Sequence, residues 1–176
     1  VTRPRPPIEE IGRGRFLRLV QRDGWEYAER LGAAGVVVIV AVTEDDRLVL
    51  TEQHRPAVDG RVIDLPAGLA GDASDTEGES LESAARRELL EETGWSCERM
   101  EWIFEGPPSP GSTSEVLTFF RARDLARAGS GGGVGDERIA VHEIAVDEIR
   151  TWLAAAAAGG RMVDPKVHAA LSLLRR

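Results

Sequence analysis

Between Glu79 and Trp95 the chain concentrates carboxylates at a spacing that a helix turns into chemistry. On a helix Glu88 and Glu92 stand four residues apart and Glu91 three from Glu88, so three acidic groups share one face. They fall near the carboxyl end, where mutual repulsion and the negative end of the helix dipole both oppose them. Two like charges ~4 Å apart repel by roughly 4 kcal/mol at an effective dielectric near 20. Such a cluster shifts its pKa values or binds a cation. Oxygen-only ligands suit Mg²⁺ or Mn²⁺ rather than zinc. The competing reading is a solvated, charge-rich helix that Arg86 and Arg87 neutralise through i,i+4 pairs. The run Arg-Glu-apolar-x-Glu-Glu-x-Gly, however, arises by chance in roughly one chain of this length in ten thousand, which decides for function.

Other residues are candidates by type. Arg55 carries a planar, permanent charge suited to bidentate contact with a diphosphate, or else forms a surface ion pair. The run Gly129–Gly135 lacks the Gly-Lys-Ser/Thr ending of a phosphate loop and reads as a flexible tether into Asp136 and Glu137. None of the three histidines has a partner at zinc-ligand spacing, Cys97 reads as a small core residue, and no serine occupies a nucleophile elbow.

The carboxylates need a scaffold, and its pieces are legible. Leu81, Ala84, Ala85 and Leu89 form an apolar helix face, Ser80 is placed to cap it and Gly94 to stop it. Strands are expected at Val36–Val42, Leu48–Glu52, around Val62–Leu65, Trp102–Phe104, Val116–Ala122 and Ile139–Ile144. Two helices, Asp147–Ala158 and Pro165–Leu174, close the chain. Ahead of these, Val1–Gly12 is proline-rich and reads as an extended or disordered arm. Arg15–Val20 and Trp25–Arg30 form a hairpin about Asp23-Gly24. A two-stranded ribbon is marginal alone and must lie on the main domain or on a second subunit. The expectation is an α/β fold around a mixed sheet, with residues 1–34 as arm and hairpin and 35–176 as the main domain.

Composition bounds the function. Of 176 residues 42% are hydrophobic and 30% charged, and the longest apolar stretch, Ala33–Val42, is too short to span a bilayer. A single cysteine forms no internal disulfide and no leader pattern opens the sequence, so a reducing cytoplasm is expected. The formal charge of −8 disfavours nucleic acid and anionic membranes as partners. A phosphate substrate then needs local help, from cations on the carboxylates and from arginines, which make up all of Lys+Arg except Lys166.

From Glu79 to Trp95 the sequence resembles the signature helix of the Nudix hydrolases: Gly, five residues, Glu, seven residues, then Arg-Glu-apolar-x-Glu-Glu-x-Gly-apolar. The resemblance implies an α/β/α sandwich in which Glu88 and Glu92 ligate Mg²⁺ or Mn²⁺, Glu91 assists, and Arg87 and Glu79 brace the helix. One position departs: five residues before Glu79 stands Ala73, and the equivalent glycine is Gly68, which implies five extra residues in the loop 70–78. That insertion bears on Glu79 and on the Ala67 carbonyl, a further metal ligand in the resembling enzymes. Glu52–Pro56, Ile63–Gly68 and Ser109–Glu115 are similar to ADP-ribose pyrophosphatases in particular. That likeness implies substrate contacts from Arg55, Trp25, Gly68 and Glu115, with Trp25 stacking on the base. It implies Glu137 as general base and metal contact, with Asp136 and Glu91 as alternatives, and a homodimer that exchanges the hairpin. The implied reaction is hydrolysis of ADP-ribose to AMP and ribose 5-phosphate. The rivals are a Nudix hydrolase for another nucleoside diphosphate sugar, such as GDP-mannose, and a sensor domain that binds such a metabolite without cleaving it.

Overall fold

Residues 36–42 contain no polar side chain, and the strand they form, β4 (Gly35–Ala41), is buried on both faces. Val37, Ile39 and Ala41 enter one hydrophobic core with Ala84, Ala85 and Leu89 of the helix α1 (Leu81–Thr93). Val38 and Val40 point the other way, into a core shared with α2 (Ile149–Ala158) and α3 (Pro165–Leu171). This period-two division places helices on both sides of the strand layer. The computed structural model describes residues 6–71 and 78–174, so Ala73 and most of the inserted loop lie outside the described residues.

The strand layer is two mixed sheets rather than the one expected. The strands β5 (Arg47–Arg55), β6 (Gly60–Asp64), β10 (Ala140–Ala145) and β11 (Met162–Val163) form one sheet in the order β10-β5-β6-β11. With β7 (Ala67–Ala70), β8 (Trp95–Gly106) and β9 (Leu117–Arg127), β4 forms the other, in the order β7-β4-β9-β8. Parallel pairing occurs once in each, β11 with β6 and β4 with β9. The short strands β7 and β11 were not expected, because four and two residues carry no readable period. β8 begins well before Trp102 and contains a register shift between Trp102 and Phe104. Its earlier half carries no strict alternation, since Trp95, Ser96 and Cys97 are all half-buried and Glu98 and Arg99 are both exposed.

The arm corrects a second expectation. Glu9–Arg13 forms a strand, β1, which pairs antiparallel with β2 (Leu17–Arg22), and β2 pairs with β3 (Trp25–Arg30). Every β1 residue is exposed, so backbone pairing rather than an apolar face recruits it, helped by Arg13 and Arg18 around Glu10. The third strand relieves the marginality of a bare hairpin. Asp23 and Gly24, both at positive φ (52° and 80°), make the two-residue turn that matches strand twist. Within the chain this sheet docks through β3. The Ala28 N–H donates to the Ser112 carbonyl (2.9 Å), and the Ser114 N–H donates to that of Ala28 (3.1 Å).

α1 begins and ends where its sequence signals put it. The Ser80 hydroxyl accepts from the Ser83 N–H (3.1 Å), and Gly94, at φ 75°, closes the helix with an N–H to the Leu90 carbonyl (2.8 Å). Asp164 caps α3 by accepting from the Lys166 N–H (2.8 Å). No helix of the described residues is long and apolar enough to cross a membrane.

Candidate active site

Arg87 organises the outer side of α1. Its guanidinium donates to both carboxylate oxygens of Glu79 (3.1 and 3.0 Å), to Glu88 (2.8 Å) and to Glu91 (3.1 Å). It also donates to the Leu69 carbonyl on β7 (2.9 Å), which ties helix to sheet. Hydrogen bonding to Glu79, opposed by burial and then aided by Glu88, raises the Arg87 pKa. Gly68 explains how α1 approaches so closely, because a Cβ there would overlap the Glu88 carboxyl group. The spacing of Glu88, Glu91 and Glu92 predicts three carboxylates on one face. The structure turns Glu91 toward Arg87, out of the wall that Glu88 and Glu92 line.

Glu92 is 5% exposed and accepts the Ala67 N–H (3.0 Å). Burial pushes its pKa up to about 8, the Ala67 bond pulls it down, and Glu88, Glu137 and Asp64 add repulsion. All four carboxylates line one cavity of about 420 Å³, together with Ala67, Gly68, Gln53, Arg55, Arg30 and Lys166. Asp64, Lys166 and Arg30 were missed in the sequence. Lys166 bridges Asp64 (3.0 Å) and Asp164 (2.7 Å), and Asp64 is itself pushed up by burial against the pull of Lys166. The one available signal was that Lys166 is the only lysine in the chain.

Glu137 reaches the cavity from the glycine run. Expected to be a flexible tether, the run lies against the carboxyl end of α1: Gly132 N–H donates to the Glu92 carbonyl (2.8 Å) and Gly133 N–H to that of Glu91 (3.0 Å). One Glu137 carboxylate oxygen accepts the Val134 N–H (3.1 Å). Asp136 is exposed and is not in the cavity wall. Trp25, 66% exposed, lies in a neighbouring cavity of about 470 Å³ with Tyr27, Pro107 and Pro110. Glu115 belongs to the walls of both cavities and holds Arg30 at 2.5 Å.

Among the described residues no three acidic, histidine or cysteine side chains are gathered tightly enough to enclose an ion. The donor chemistry nevertheless fits Mg²⁺ or Mn²⁺. The donors are hard oxygens, and the burial of Glu92 among like charges is a cost that a divalent cation removes.

One residue before Gln53, on the same strand, a second glutamate is buried under different terms. Glu52, 3% exposed, accepts from Arg61 and from Arg161 (3.2 Å) and is hydrogen-bonded to His142 (2.8 Å), whose ring packs on Trp152. Burial raises its pKa, but the hydrogen bonds from Arg61 and His142 outweigh this and hold it below the usual carboxylate range.

A family model for the NUDIX domain matches residues 33–170. The methanol dehydrogenase activator of Bacillus methanolicus is 30% identical over 152 residues, 82% of this chain and 80% of that protein. The GDP-mannose pyrophosphatase of Enterobacter sp. (strain 638) is 35% identical over 122 residues, 65% of this chain and 61% of that one. The ADP-ribose pyrophosphatase of Bacillus subtilis (strain 168) is 32% identical over 92 residues, 52% of this chain and 47% of that one. The matched region thus spans less than two thirds of either pyrophosphatase. A crystal structure of an ADP compounds hydrolase superposes with a TM-score of 0.67 at 20% identity, covering 87% of this chain and 85% of the other, and shares the fold.

Proposed function

This chain belongs to the NUDIX family of hydrolases, and from that premise we propose that it hydrolyses the pyrophosphate bond of ADP-ribose to AMP and ribose 5-phosphate, or that of a related nucleoside diphosphate sugar to the corresponding nucleoside monophosphate and sugar phosphate. The observation that carries the reading is the convergence of Glu88, Glu92 and Glu137 on one cavity that also holds Arg55. Through Glu115 that cavity adjoins the one walled by Trp25. Phosphate chemistry and base recognition thus have adjacent places.

In this reading Glu88 and Glu92, with Glu137 and the Ala67 carbonyl, would hold Mg²⁺ or Mn²⁺. A divalent cation held there would supply charge neutralisation for the diphosphate and Lewis-acid activation of water. Arg55 contacts the pyrophosphate and Arg87 keeps Glu88 and Glu91 in place. Trp25 stacks on the base, while Gly68 and Glu115 border the substrate. The carboxylate of Glu137 accepts the proton of the attacking water. The water oxygen bonds to one phosphorus, the bridging P–O bond breaks, and the departing phosphate oxygen keeps the electron pair. The exposed apolar residues Ile11, Phe16, Leu17 and Leu19 on the N-terminal sheet support a homodimer formed through that sheet. The single cysteine supports a cytoplasmic setting.

Incubation with ADP-ribose and Mg²⁺ or Mn²⁺, with chromatographic detection of products, tests the reaction. AMP and ribose 5-phosphate in equal amounts are expected; no AMP with either metal overturns ADP-ribose as the substrate, and no cleavage of GDP-mannose either overturns the proposal. A second substrate, GDP-mannose, is favoured by the 35% identity to the Enterobacter pyrophosphatase. Comparing kcat/KM for the two substrates decides between them.

A further inference from the structure

We propose that the glycine run Gly129–Gly135 is a latch that fastens the loop bearing Glu137 to the carboxyl end of α1 and so sets that carboxylate opposite Glu88 and Glu92. The proposal rests on the reading of Glu137 as proton acceptor. The last carbonyls of a helix have no partner within it and must be satisfied from outside. Here the loop satisfies them. Ala128 and Gly129 donate to the Gly94 carbonyl (2.9 and 3.0 Å), Gly132 to Glu92 (2.8 Å) and Gly133 to Glu91 (3.0 Å). Two of these acceptors are main-chain carbonyls of the acidic triplet, so the loop is registered against the residues it must face.

The contact needs glycine on both sides. At Gly131 (φ 65°) a Cβ would overlap the Thr93 carbonyl carbon and come within 2.7 Å of the Gly94 nitrogen. At Gly94 (φ 75°) it would overlap the Gly129 carbonyl. At Gly133 (φ 89°) it would meet the Glu137 side chain itself, 2.6 Å from Cβ and 2.7 Å from Oε2. The strands flanking the loop are clamped as well. Arg127, at the end of β9, pairs with Glu143 on β10 and lies over the Trp95 ring, while the Trp95 indole N–H donates to the same carboxylate (3.1 Å). Glycine therefore serves here to permit close backbone approach, and the resulting loop is fixed rather than loose.

Steady-state kinetics on ADP-ribose with Mg²⁺ test the latch, using Gly131→Ala alone and combined with Glu137→Gln, with Gly160→Ala as control. Gly160 shares a positive φ (86°) but has open space around it. Gly131→Ala is expected to lower kcat by about ten- to a hundred-fold, the scale of a catalytic group displaced by ~1 Å, with little change in KM. Gly160→Ala keeps the parent kcat. Amide exchange should show Gly132 and Gly133 protected in the parent and exposed in Gly131→Ala. In the Glu137→Gln background Gly131→Ala should remove no further rate, since the group it positions is gone. Parent kcat in a Gly131→Ala protein with those amides exposed overturns the latch, as do equal losses in both backgrounds. If Glu137→Gln itself keeps the parent rate, the proton-acceptor reading fails instead, and a Gly131→Ala loss in that background then overturns the latch as a device for Glu137. Should Gly131→Ala not fold, Gly133→Ala, whose added methyl meets the Glu137 side chain (2.6 and 2.7 Å) and Ile139 (3.2 Å), carries the kinetic comparison, with loss of protection at the Gly132 amide as the readout of the latch.

Discussion

Glu52 and Glu92 are buried almost equally, at 3% and 5% exposure, yet their charges are handled in opposite ways. Glu52 is enclosed by Arg61, Arg161 and His142 and stays ionised. Glu92 has a single backbone donor, three carboxylates add repulsion, and its pKa is pushed up to about 8. The first arrangement joins β5, β6, β10 and the segment before β11. The second stores an electrostatic cost on the helix that carries the family signature. Burial alone therefore does not mark function, whereas burial without compensation does.

The largest expected effect tests the uncompensated member. Glu92→Gln should lower kcat by about 10³-fold or more, and a near-parent rate would remove Glu92 from the mechanism. The same substitution should stabilise the metal-free protein. Because the folded pKa of about 8 exceeds the ordinary 4.5, the folded state holds a proton that the unfolded state has lost, and the cost of ionisation grows between those values. Melting curves of metal-free parent and variant should coincide near pH 4 and separate in favour of Glu92→Gln by pH 8. Equal midpoints at pH 8 would show that Glu92 carries no stored cost.

Next in size is the compensated member. Glu52→Gln leaves three cationic or hydrogen-bonding partners without their anion and should cost about 3 kcal/mol. For a chain of this size that is roughly 2–4 °C of melting temperature per kcal/mol. Here the sign is reversed. With its folded pKa below 4.5, Glu52 contributes stability that is present above pH 4.5 and lost as pH falls through the folded value. The difference between parent and variant should therefore shrink in acid, and a constant gap would remove ionisation from the account.

The smallest effect belongs to neither glutamate. Trp25→Ala should raise KM about ten-fold, within the range for losing one base–aromatic stack, with kcat unchanged. Because Trp25 is 66% exposed, the melting temperature should not move. An unchanged KM would free Trp25 from substrate and leave it to the dimer surface.

What could be read in advance follows from how local each signal is. α1 was legible from Ser80 to Gly94 because cap, apolar face and stop residue all lie within one helix. β1 was not, because Glu9–Arg13 carries no alternation and is recruited by its neighbour's backbone. The division into two sheets is not legible in the sequence because both hold parallel pairs between strands distant in sequence, β4 with β9 and β6 with β11. Asp64, Lys166 and Arg30 meet only after β6, α3 and β3 are assembled, so no spacing announces them. The Glu52 cluster was hidden for the same reason, since Arg61, His142 and Arg161 come from three separate elements. Composition shows what glycine allows and only packing shows what it is used for, so residues 129–135 read as a flexible tether in the sequence while the fold uses them for close backbone approach.

Lys166 gives the cavity an accidental reporter. It is the only lysine in the sequence, its side chain is 19% exposed, and its ammonium is held between Asp64 and Asp164. At a pH where labelling of the α-amine is resolved by peptide mapping, an amine-acylating reagent thus meets a single ε-amine, in the wall of the candidate active site. The speed of that labelling, followed by mass spectrometry, reads how often the Asp64–Lys166–Asp164 bridge opens, and a resident diphosphate would slow it.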